Sequence, residues 1–241
     1  SYFLNLKGPA FVVNTGCSSS GVALHQACES LRRRESNLAL AGGIFADVGD
    51  EVLRLLAGIG MLSSTGRCRP FSAQSDGTII SEGVGLVALK RLKDAMADGD
   101  PIRAVIRASG VNQDGASNGI TAPNGTAQEA LLRNVYETFK ISASQIELVE
   151  AHGTGTRLGD PIEVNTLSRV LEPAKREHGI YLGTAKAKIG HTSAASGVIG
   201  LIKLVLSMEH KTIPRLPGFD RLNPKIDPLG WQISAASQSW Q

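Results

Sequence analysis

The sequence has few cysteines, no long apolar run and no excess of charge of one sign. Its 241 residues include three cysteines, at positions 17, 28 and 68. An odd number of cysteines without paired spacing argues against a disulfide framework and against a zinc site. No run is apolar and long enough to span a membrane, and the first residues lack the pattern of a signal peptide. These absences predict a cytoplasmic protein with reduced thiols, no bound metal and no membrane association.

The charges are nearly balanced. The 25 Lys and Arg residues against 22 Asp and Glu residues give a formal net charge of +3, which argues against the strongly basic surface of a nucleic-acid-binding protein. The three arginines at positions 32–34 are typical of a helix end, where cations interact favourably with the helix dipole. With 42% hydrophobic residues, the chain can bury a sizeable core. We therefore expect a globular domain without a nucleic-acid partner.

Short β-rich runs alternate with helical patterns along the chain. The strands are predicted over residues 10–13, 37–41, 84–92, 102–108, 146–151 and 180–184, and the glycines at 42 and 43 are expected to end the second strand. The helices are predicted over residues 17–33, 126–139, 161–171 and 194–209. Asp160 occupies the N-cap position before the third of these helices. Strands that alternate with helices imply an α/β protein with layered sheets.

The first chemical motif is a cysteine between a predicted strand and a predicted helix, in residues 14–20. A helix N-terminus beside the Cys17 sulfur would lower the pKa of the thiol and favour the nucleophilic thiolate. Gly16 permits close backbone approach, and the N–H of Cys17 can face a developing oxyanion. The competing interpretation is a buried structural cysteine, which is common in proteins.

Two histidines follow predicted strands in loops rich in glycine. His152 lies in residues 150–161, where no lysine follows as it would in a phosphate-binding loop, and His191 lies in residues 186–197 before a helix of small residues. Incidental structural histidines are the alternative in each case. With Cys17, however, two neutral imidazoles suit acyl transfer, because they can donate hydrogen bonds to a thioester carbonyl and to the enolate formed when CO₂ leaves. A cysteine protease needs only one histidine and an orienting Asn or Asp, so it explains less of the sequence.

These stretches resemble the β-ketoacyl synthase family, and in particular the ketosynthase domains of type I polyketide synthases. The cysteine motif, the HGTGT stretch and the Gly-His stretch occur in the family's order, and further matches lie at residues 5–9, 60–63, 111–115 and 118–125. The resemblance covers essentially the whole chain. It implies an α/β fold of the thiolase-like type, in which two related halves form αβαβα layers. It also implies an acyltransferase that condenses acyl thioesters.

The resemblance assigns a role to each candidate catalytic residue. Cys17 would carry the acyl group, and His152 and His191 would support decarboxylation of a malonyl-type extender and stabilise the enolate. Lys186, with Glu150, would belong to the polar network behind the histidines. The reaction would be a decarboxylative Claisen condensation.

The resemblance also implies how substrates bind. Thr154 and Thr156 would hold the phosphopantetheine arm of an acyl carrier protein, and Phe71 would be a gate near the acyl pocket. The chain itself would hold no permanent cofactor. The partners would be the carrier protein, its acyl and malonyl thioesters, and a second copy in a homodimer.

The sequence departs from the family at four positions. Asn14 and Gly16 stand where the family usually has Asp and Ala before the nucleophile. Lys188 replaces the usual Asn three residues before the last histidine, and Ser72 replaces an acidic residue after the gate Phe. The nucleophile and both histidines are retained. We therefore expect these changes to affect substrate choice and efficiency rather than the class of reaction.

The resemblance further predicts one ketosynthase domain over residues 1–241 that is incomplete at both ends. Residues 1–110 would be the end of the N-terminal half, and residues 111–241 most of the C-terminal half. The N-terminal part and the last C-terminal strand-loop would be absent, so we expect an excerpt that folds poorly alone because a large apolar face is exposed. Two alternatives to condensation stay open, a non-elongating and a branching ketosynthase that bind and pass on an acyl chain. A degradative thiolase is disfavoured, because no second cysteine follows Cys68.

Overall fold

The structure is a computed structural model that describes residues 1–119 and 121–240, so position 120 of the family-like stretch 118–125 lies outside the described residues. The helices are α1 (Ser19–Arg32), α2 (Glu51–Gly58), α3 (Leu92–Asp98), α4 (Gly125–Thr138), α5 (Gly159–Leu171), α6 (Lys186–Ile189) and α7 (Ser196–Glu209). The strands are β1 (Leu38–Phe45), β2 (Gly83–Lys90), β3 (Leu148–Glu150), β4 (Ile180–Gly183), β5 (Thr212–Ile213), β6 (Trp231–Gln232) and β7 (Gln238–Ser239). Helices and strands thus alternate along much of the chain, as the sequence predicted.

Within residues 1–119 and 121–240, the strands form three small sheets. β1 and β2 are an antiparallel pair in register from Leu38 opposite Lys90 to Phe45 opposite Gly83. β3, β4 and β6 are parallel and lie in that order, and β5 pairs with β7 in the antiparallel sense. Because parallel strands end at the same edge of a sheet, the loops that follow β3 and β4 lie side by side. These two loops carry the predicted catalytic histidines.

The main core lies between α5 and the parallel sheet. Val164, Leu167 and Leu171 lie on one face of α5 at helical spacing and are buried there, together with Ile180 and Leu182 of β4. Burying one such side chain contributes roughly 1.5–3 kcal/mol. The core therefore fixes α5 against the strands whose ends carry the histidine loops.

Two of the predicted strands are wrong. Residues 10–13 and 102–108 belong to no strand of the structure, and Phe11 and Val12 are exposed. A β-rich segment becomes a strand only when a neighbouring edge satisfies its backbone groups, and no described segment pairs with either one. The sequence pattern also did not reveal helix α3, which lies between the predicted strands 84–92 and 102–108 and ends at the left-handed Gly99.

The role expected for the glycines after residue 41 is also wrong. β1 continues through Gly42 and Gly43 to Phe45. A Cβ on Gly42 would lie 2.1 Å from the carbonyl oxygen of Gly85 on β2, so this glycine permits close approach of two strands and does not end one.

Within the described part of the chain, no helix has both the length and the apolar character needed to cross a bilayer.

Candidate active site

Cys17 lies in a tight turn that leads into α1. Gly16 adopts a left-handed backbone with φ of +66°, and its N–H donates to Oδ1 of Asn14 at 3.2 Å. The N–H of Thr15 donates to the Ser19 hydroxyl at 2.9 Å, and the N–H of Ser19 donates to the Gly16 carbonyl at 3.1 Å. The thiol of Cys17 is free and exposed. The turn thus presents the sulfur to solvent and does not bury it.

The electrostatic effect expected at this sulfur is wrong. α1 begins at Ser19, two residues after Cys17, so the thiol is not within the first turn of the helix. Desolvation raises the pKa of the Cys17 thiol, and the positive charge of Lys186 acts in the opposite direction. Because the residue is open to water, desolvation acts on it less strongly than on a sealed thiol. Lys186 is therefore the charge that favours the thiolate.

His152 follows β3 and is held through its backbone. The carboxylate of Glu163 accepts the His152 N–H at 2.6 Å and the Gly153 N–H at 2.9 Å. Gly153 has φ of +44°, a left-handed conformation that suits glycine. Glu163 therefore anchors the loop to α5 and leaves the imidazole free to face the cleft.

His191 is buried and its ring orientation is fixed. The N–H of Ser193 donates to Nδ1 of His191 at 3.1 Å, and the hydroxyl of Ser196 lies 2.9 Å from the same nitrogen. A backbone N–H can only donate, so Nδ1 is an acceptor and the proton of the neutral ring is on Nε2. Nε2–H is then available as a hydrogen-bond donor.

The two imidazoles lie together and are both held neutral. Their ring centroids are 5.4 Å apart, and the planes are nearly perpendicular at 86°. Desolvation, assisted by the charge of Lys186, lowers the pKa of the buried His191 to about 4. The same causes, together with the neighbouring ring, lower the pKa of His152, although water reaches its open side and softens the effect. Both rings are neutral at pH 7, as the sequence interpretation required.

A buried polar network lies behind the histidines. Lys186 is 6% exposed, and desolvation lowers its pKa while the charges of Glu163 and Glu150 act to raise it. Glu150 forms an ion pair with Lys203 of α7 and accepts the N–H of Ala185 at 2.5 Å. The predicted residues Lys186 and Glu150 thus share one network, to which the structure adds Glu163 and Lys203.

The sequence interpretation missed Glu163 and Lys203. Glu163 lies in the first turn and a half of α5, where an acidic side chain can bond backbone N–H groups near the helix start. That position was the available signal for Glu163. Asp160, expected as the N-cap, is instead inside the first turn of α5, and its buried carboxylate accepts the N–H groups of Phe71 and Gly155 at 2.7 and 3.1 Å.

A cavity of about 570 Å³ joins several of these residues. Its lining includes Cys17, His152, Lys186 and Glu150, together with apolar side chains from α1, α4 and α7. His191 is not part of the cavity wall and lies behind it, against His152. The cavity can therefore accept a chain with an apolar body whose reacting end meets a thiol and an imidazole.

The helices that follow the two reactive loops touch at backbone distance. A Cβ on Gly197 in α7 would lie 2.8 Å from the backbone nitrogen of Gly21 in α1. The hydroxyl of Ser20 accepts the N–H of Val198 at 3.1 Å. This contact fixes the start of α1, which follows Cys17, against the start of α7, which follows His191.

The predicted substrate-binding residues lie outside the cavity wall. Thr154 and Thr156 share a hydroxyl–hydroxyl hydrogen bond of 3.1 Å in the loop after His152. Phe71 is fully buried, at 0% exposure, and its ring lies beneath Gly153. The structure thus places Phe71 next to the histidine loop and away from the wall of the cavity.

The four family departures fall in different surroundings. Asn14 and Gly16 form the turn before the nucleophile, and no heavy atom lies within 4 Å of a Cβ placed on Gly16. Ser72 is buried and donates to Oδ1 of Asp220 at 3.0 Å, so another segment provides a carboxylate beside it. Lys188 is exposed, and desolvation followed by the charges of Lys203 and Arg215 lowers its pKa.

Comparison with protein families finds two adjacent matches. Residues 1–95 match "Beta-ketoacyl synthase, N-terminal domain", and residues 103–220 match "Beta-ketoacyl synthase, C-terminal domain". The chain is similar to polyketide synthase GfsA of Streptomyces halstedii, with 48% identity over 98% of the chain and 3% of that protein. It is also similar to a phenolphthiocerol/phthiocerol polyketide synthase of Mycobacterium tuberculosis, with 49% identity over 94% of the chain and 12% of that protein.

Solved structures give the same result for the fold. The ketosynthase from module 6 of the bacillaene synthase of Bacillus subtilis 168 matches all of the chain with a TM-score of 0.96 and 42% identity. The oxazolomycin ketosynthase domain OzmH KS7 of Streptomyces albus JA3453 matches with a TM-score of 0.95 and 37% identity over 100% of the chain. This chain covers 44% and 42% of those two chains. The predicted ketosynthase fold is confirmed, as part of the larger fold of these relatives.

Proposed function

The chain belongs to the β-ketoacyl synthase family, and on that premise we propose that it catalyses decarboxylative condensation of acyl thioesters through Cys17. The observation that carries the proposal is the cavity where the Cys17 thiol meets His152 and Lys186, with the His191 ring 5.4 Å behind that of His152. A nucleophile that shares a cavity with one of two adjacent neutral imidazoles suits acyl transfer followed by enolate formation.

In the first half-reaction, the Cys17 sulfur attacks the thioester carbonyl of an acyl group on a carrier thiol. A new carbon–sulfur bond forms, the carrier sulfur leaves, and it takes up the proton given up by Cys17. The Cys17 N–H is positioned by the Gly16 turn to act on the oxyanion. The charge of Lys186 favours the thiolate against desolvation.

In the second half-reaction, a malonyl thioester loses CO₂ and its electron pair moves onto the thioester oxygen. We assign the stabilisation of that enolate oxygen to His152 and to Nε2–H of His191, because neutral imidazoles donate without adding a charge that must be desolvated. The enolate carbon then attacks the Cys17 thioester, and the thiolate leaves. The product is a β-ketoacyl thioester on the second carrier.

The same proposal covers how the substrate arrives. Thr154 and Thr156 would hold the phosphopantetheine arm of an acyl carrier protein, which brings the only cofactor group the reaction needs. Polyketide ketosynthases work with such carrier domains, and the reduced cysteines suit a cytoplasmic setting. A homodimer belongs to the proposal as well. The domain division at residues 1–110 and 111–241 stays a prediction.

The test is covalent loading of the full-length protein that carries these residues. After incubation with an acyl thioester, the acyl mass should map to the peptide that contains Cys17 and should be absent in Cys17→Ala. Cys28→Ala is the matched control, because Cys28 is a buried cysteine of α1 and should load normally. Undiminished loading of Cys17→Ala would remove Cys17 from the mechanism.

Condensation is tested with a malonyl carrier protein. His152→Ala should still load an acyl group, since Cys17 is intact, but it should release little CO₂ and form little β-ketoacyl product. If the wild-type protein loads an acyl group but never releases CO₂, the non-elongating alternative is correct. Formation of a branched product from an unsaturated chain would instead identify a branching ketosynthase.

A further inference from the structure

Phe71 has a backbone conformation that needs an explanation. Its φ is +61°, in the left-handed region, which costs a non-glycine residue about 1–3 kcal/mol and persists only where the surroundings enforce it. The side chain is fully buried in the core formed with α5 and the parallel sheet. Such outliers concentrate at functional sites, and this one lies beside the loop of His152.

Two segments hold the Phe71 backbone in place. Its N–H donates to Oδ2 of Asp160 at 2.7 Å, and its carbonyl accepts the N–H of Asn223 at 2.8 Å. The other carboxylate oxygen of Asp160 accepts the N–H of Gly155 at 3.1 Å. A single buried carboxylate therefore links the Phe71 segment to the histidine loop.

The ring of Phe71 completes the contact with that loop. A Cβ placed on Gly153 would lie 2.8 Å from Cζ of Phe71 and 2.9 Å from Cγ2 of Thr184. Gly153 therefore packs its Cα directly over the ring edge, and the imidazole of His152 projects from the preceding residue. The ring limits the position of the His152–Gly153 turn on the side of the core. On the side of α5, the Glu163 carboxylate accepts the N–H groups of His152 and Gly153.

On the premise of the proposed condensing function, we propose that Phe71 is a positioning residue for His152 and not a gate of the acyl pocket. The ring packs against Gly153 and thereby fixes the distance between the His152–Gly153 turn and the core. It does not touch the acyl cavity, since it is absent from the cavity wall and fully buried. Removal of the ring would let the turn sink toward the core and carry the imidazole away from the enolate.

The test compares decarboxylation and loading in the full-length protein. Phe71→Ala should lower kcat for CO₂ release from a malonyl carrier protein by about 10- to 100-fold, the effect of a displacement of about 1 Å. KM for the malonyl carrier protein should change little. Loading of Cys17 with acyl thioesters of several chain lengths should keep the wild-type preference, whereas loss of a gate would change that preference.

A double-mutant cycle identifies the route of the effect. His152→Asn keeps a donor and hence a measurable residual rate, and in that background Phe71→Ala should change CO₂ release by less than about 2-fold, since residues that act as a unit are not additive. Multiplicative effects would overturn the proposal. So would a changed chain-length preference with normal CO₂ release. If His152→Asn and His152→Ala each release CO₂ at the wild-type rate, the proposed role of His152 itself is refuted.

Two further variants exclude simple loss of stability. Leu171→Ala removes an equally buried side chain of the same core at the far end of α5, about 18 Å along the helix from its start. It should destabilise the fold without the selective loss of CO₂ release. If Phe71→Ala does not fold, Phe71→Leu, which keeps apolar volume but no ring edge, should show the same selective loss. An equal loss in Leu171→Ala would overturn the proposal.

Discussion

Replacing Glu163 by Gln tests the anchor of the histidine loop. The carboxylate accepts two backbone N–H groups, from His152 at 2.6 Å and from Gly153 at 2.9 Å. A glutamine of the same size has one accepting oxygen, and its amide nitrogen would face the second N–H as donor against donor. The substitution therefore breaks one charge-assisted hydrogen bond and leaves a backbone donor unpaired.

The magnitude follows from these two bonds. A hydrogen bond to a charged group contributes about 1.5–3 kcal/mol, and an unpaired donor costs a similar amount. We expect the free energy of unfolding of Glu163→Gln to fall by about 2–3 kcal/mol. CO₂ release should fall by at least about 10-fold, because the imidazole of His152 loses its fixed position.

The assay combines urea unfolding with CO₂ release from a malonyl carrier protein. Glu129→Gln is the control, because Glu129 pairs with Arg133 and Arg169 at the protein surface and should leave CO₂ release unchanged. Wild-type stability and rate in Glu163→Gln would refute the reasoning. Equal losses in both variants would show that the effect does not depend on the loop.

Three further predictions concern other parts of the site. The pKa of His191 is about 4 in the folded protein and near 6.5 in the unfolded chain, so between these two pH values the unfolded chain binds more protons. The free energy of unfolding should therefore fall by up to about 3 kcal/mol as the pH drops through this window. Urea unfolding of His191→Gln should show a flatter pH dependence than that of the wild-type protein. Gly16→Ala should lower the free energy of unfolding by about 1–2 kcal/mol, because residue 16 has a left-handed backbone. Gly21→Ala inside α1, where a Cβ has free space, should raise the free energy of unfolding by about 0.5–1 kcal/mol. Equal shifts of the two variants in thermal unfolding would contradict this prediction. Lys203→Met leaves the Glu150 charge buried without its partner and should lower the free energy of unfolding by about 3–5 kcal/mol. In the same unfolding assay, the double variant with Glu150→Gln should recover part of this loss.

The candidate site could be predicted from the sequence because each reactive residue follows a predicted strand in a glycine-containing loop. Parallel pairing of β3 and β4 then places the loops of His152 and His191 together. Strand prediction failed over residues 10–13, because pairing depends on a neighbour that local sequence does not specify. Glu163 and Lys203 were missed for a related reason, since each bonds a group that is remote in sequence or belongs to another element. The pKa of Cys17 was misjudged because desolvation of the thiol depends on its tertiary surroundings, which the local sequence does not show, and because the helix start was placed two residues too early.

The contact between Gly21 and Gly197 makes the spacing of helices α1 and α7 independent of the size of the side chains in the cavity wall. The spacing of the two helices is set at Gly197, where a Cβ would lie 2.8 Å from the backbone nitrogen of Gly21. The apolar side chains of the cavity wall come from other positions of the same helices, among them Val22 and Ile199. Wall residues can therefore change in size without moving the helix backbones apart. Under the proposed function, the preference for acyl-chain length could therefore change without a change in the distance between the loops of Cys17 and His191.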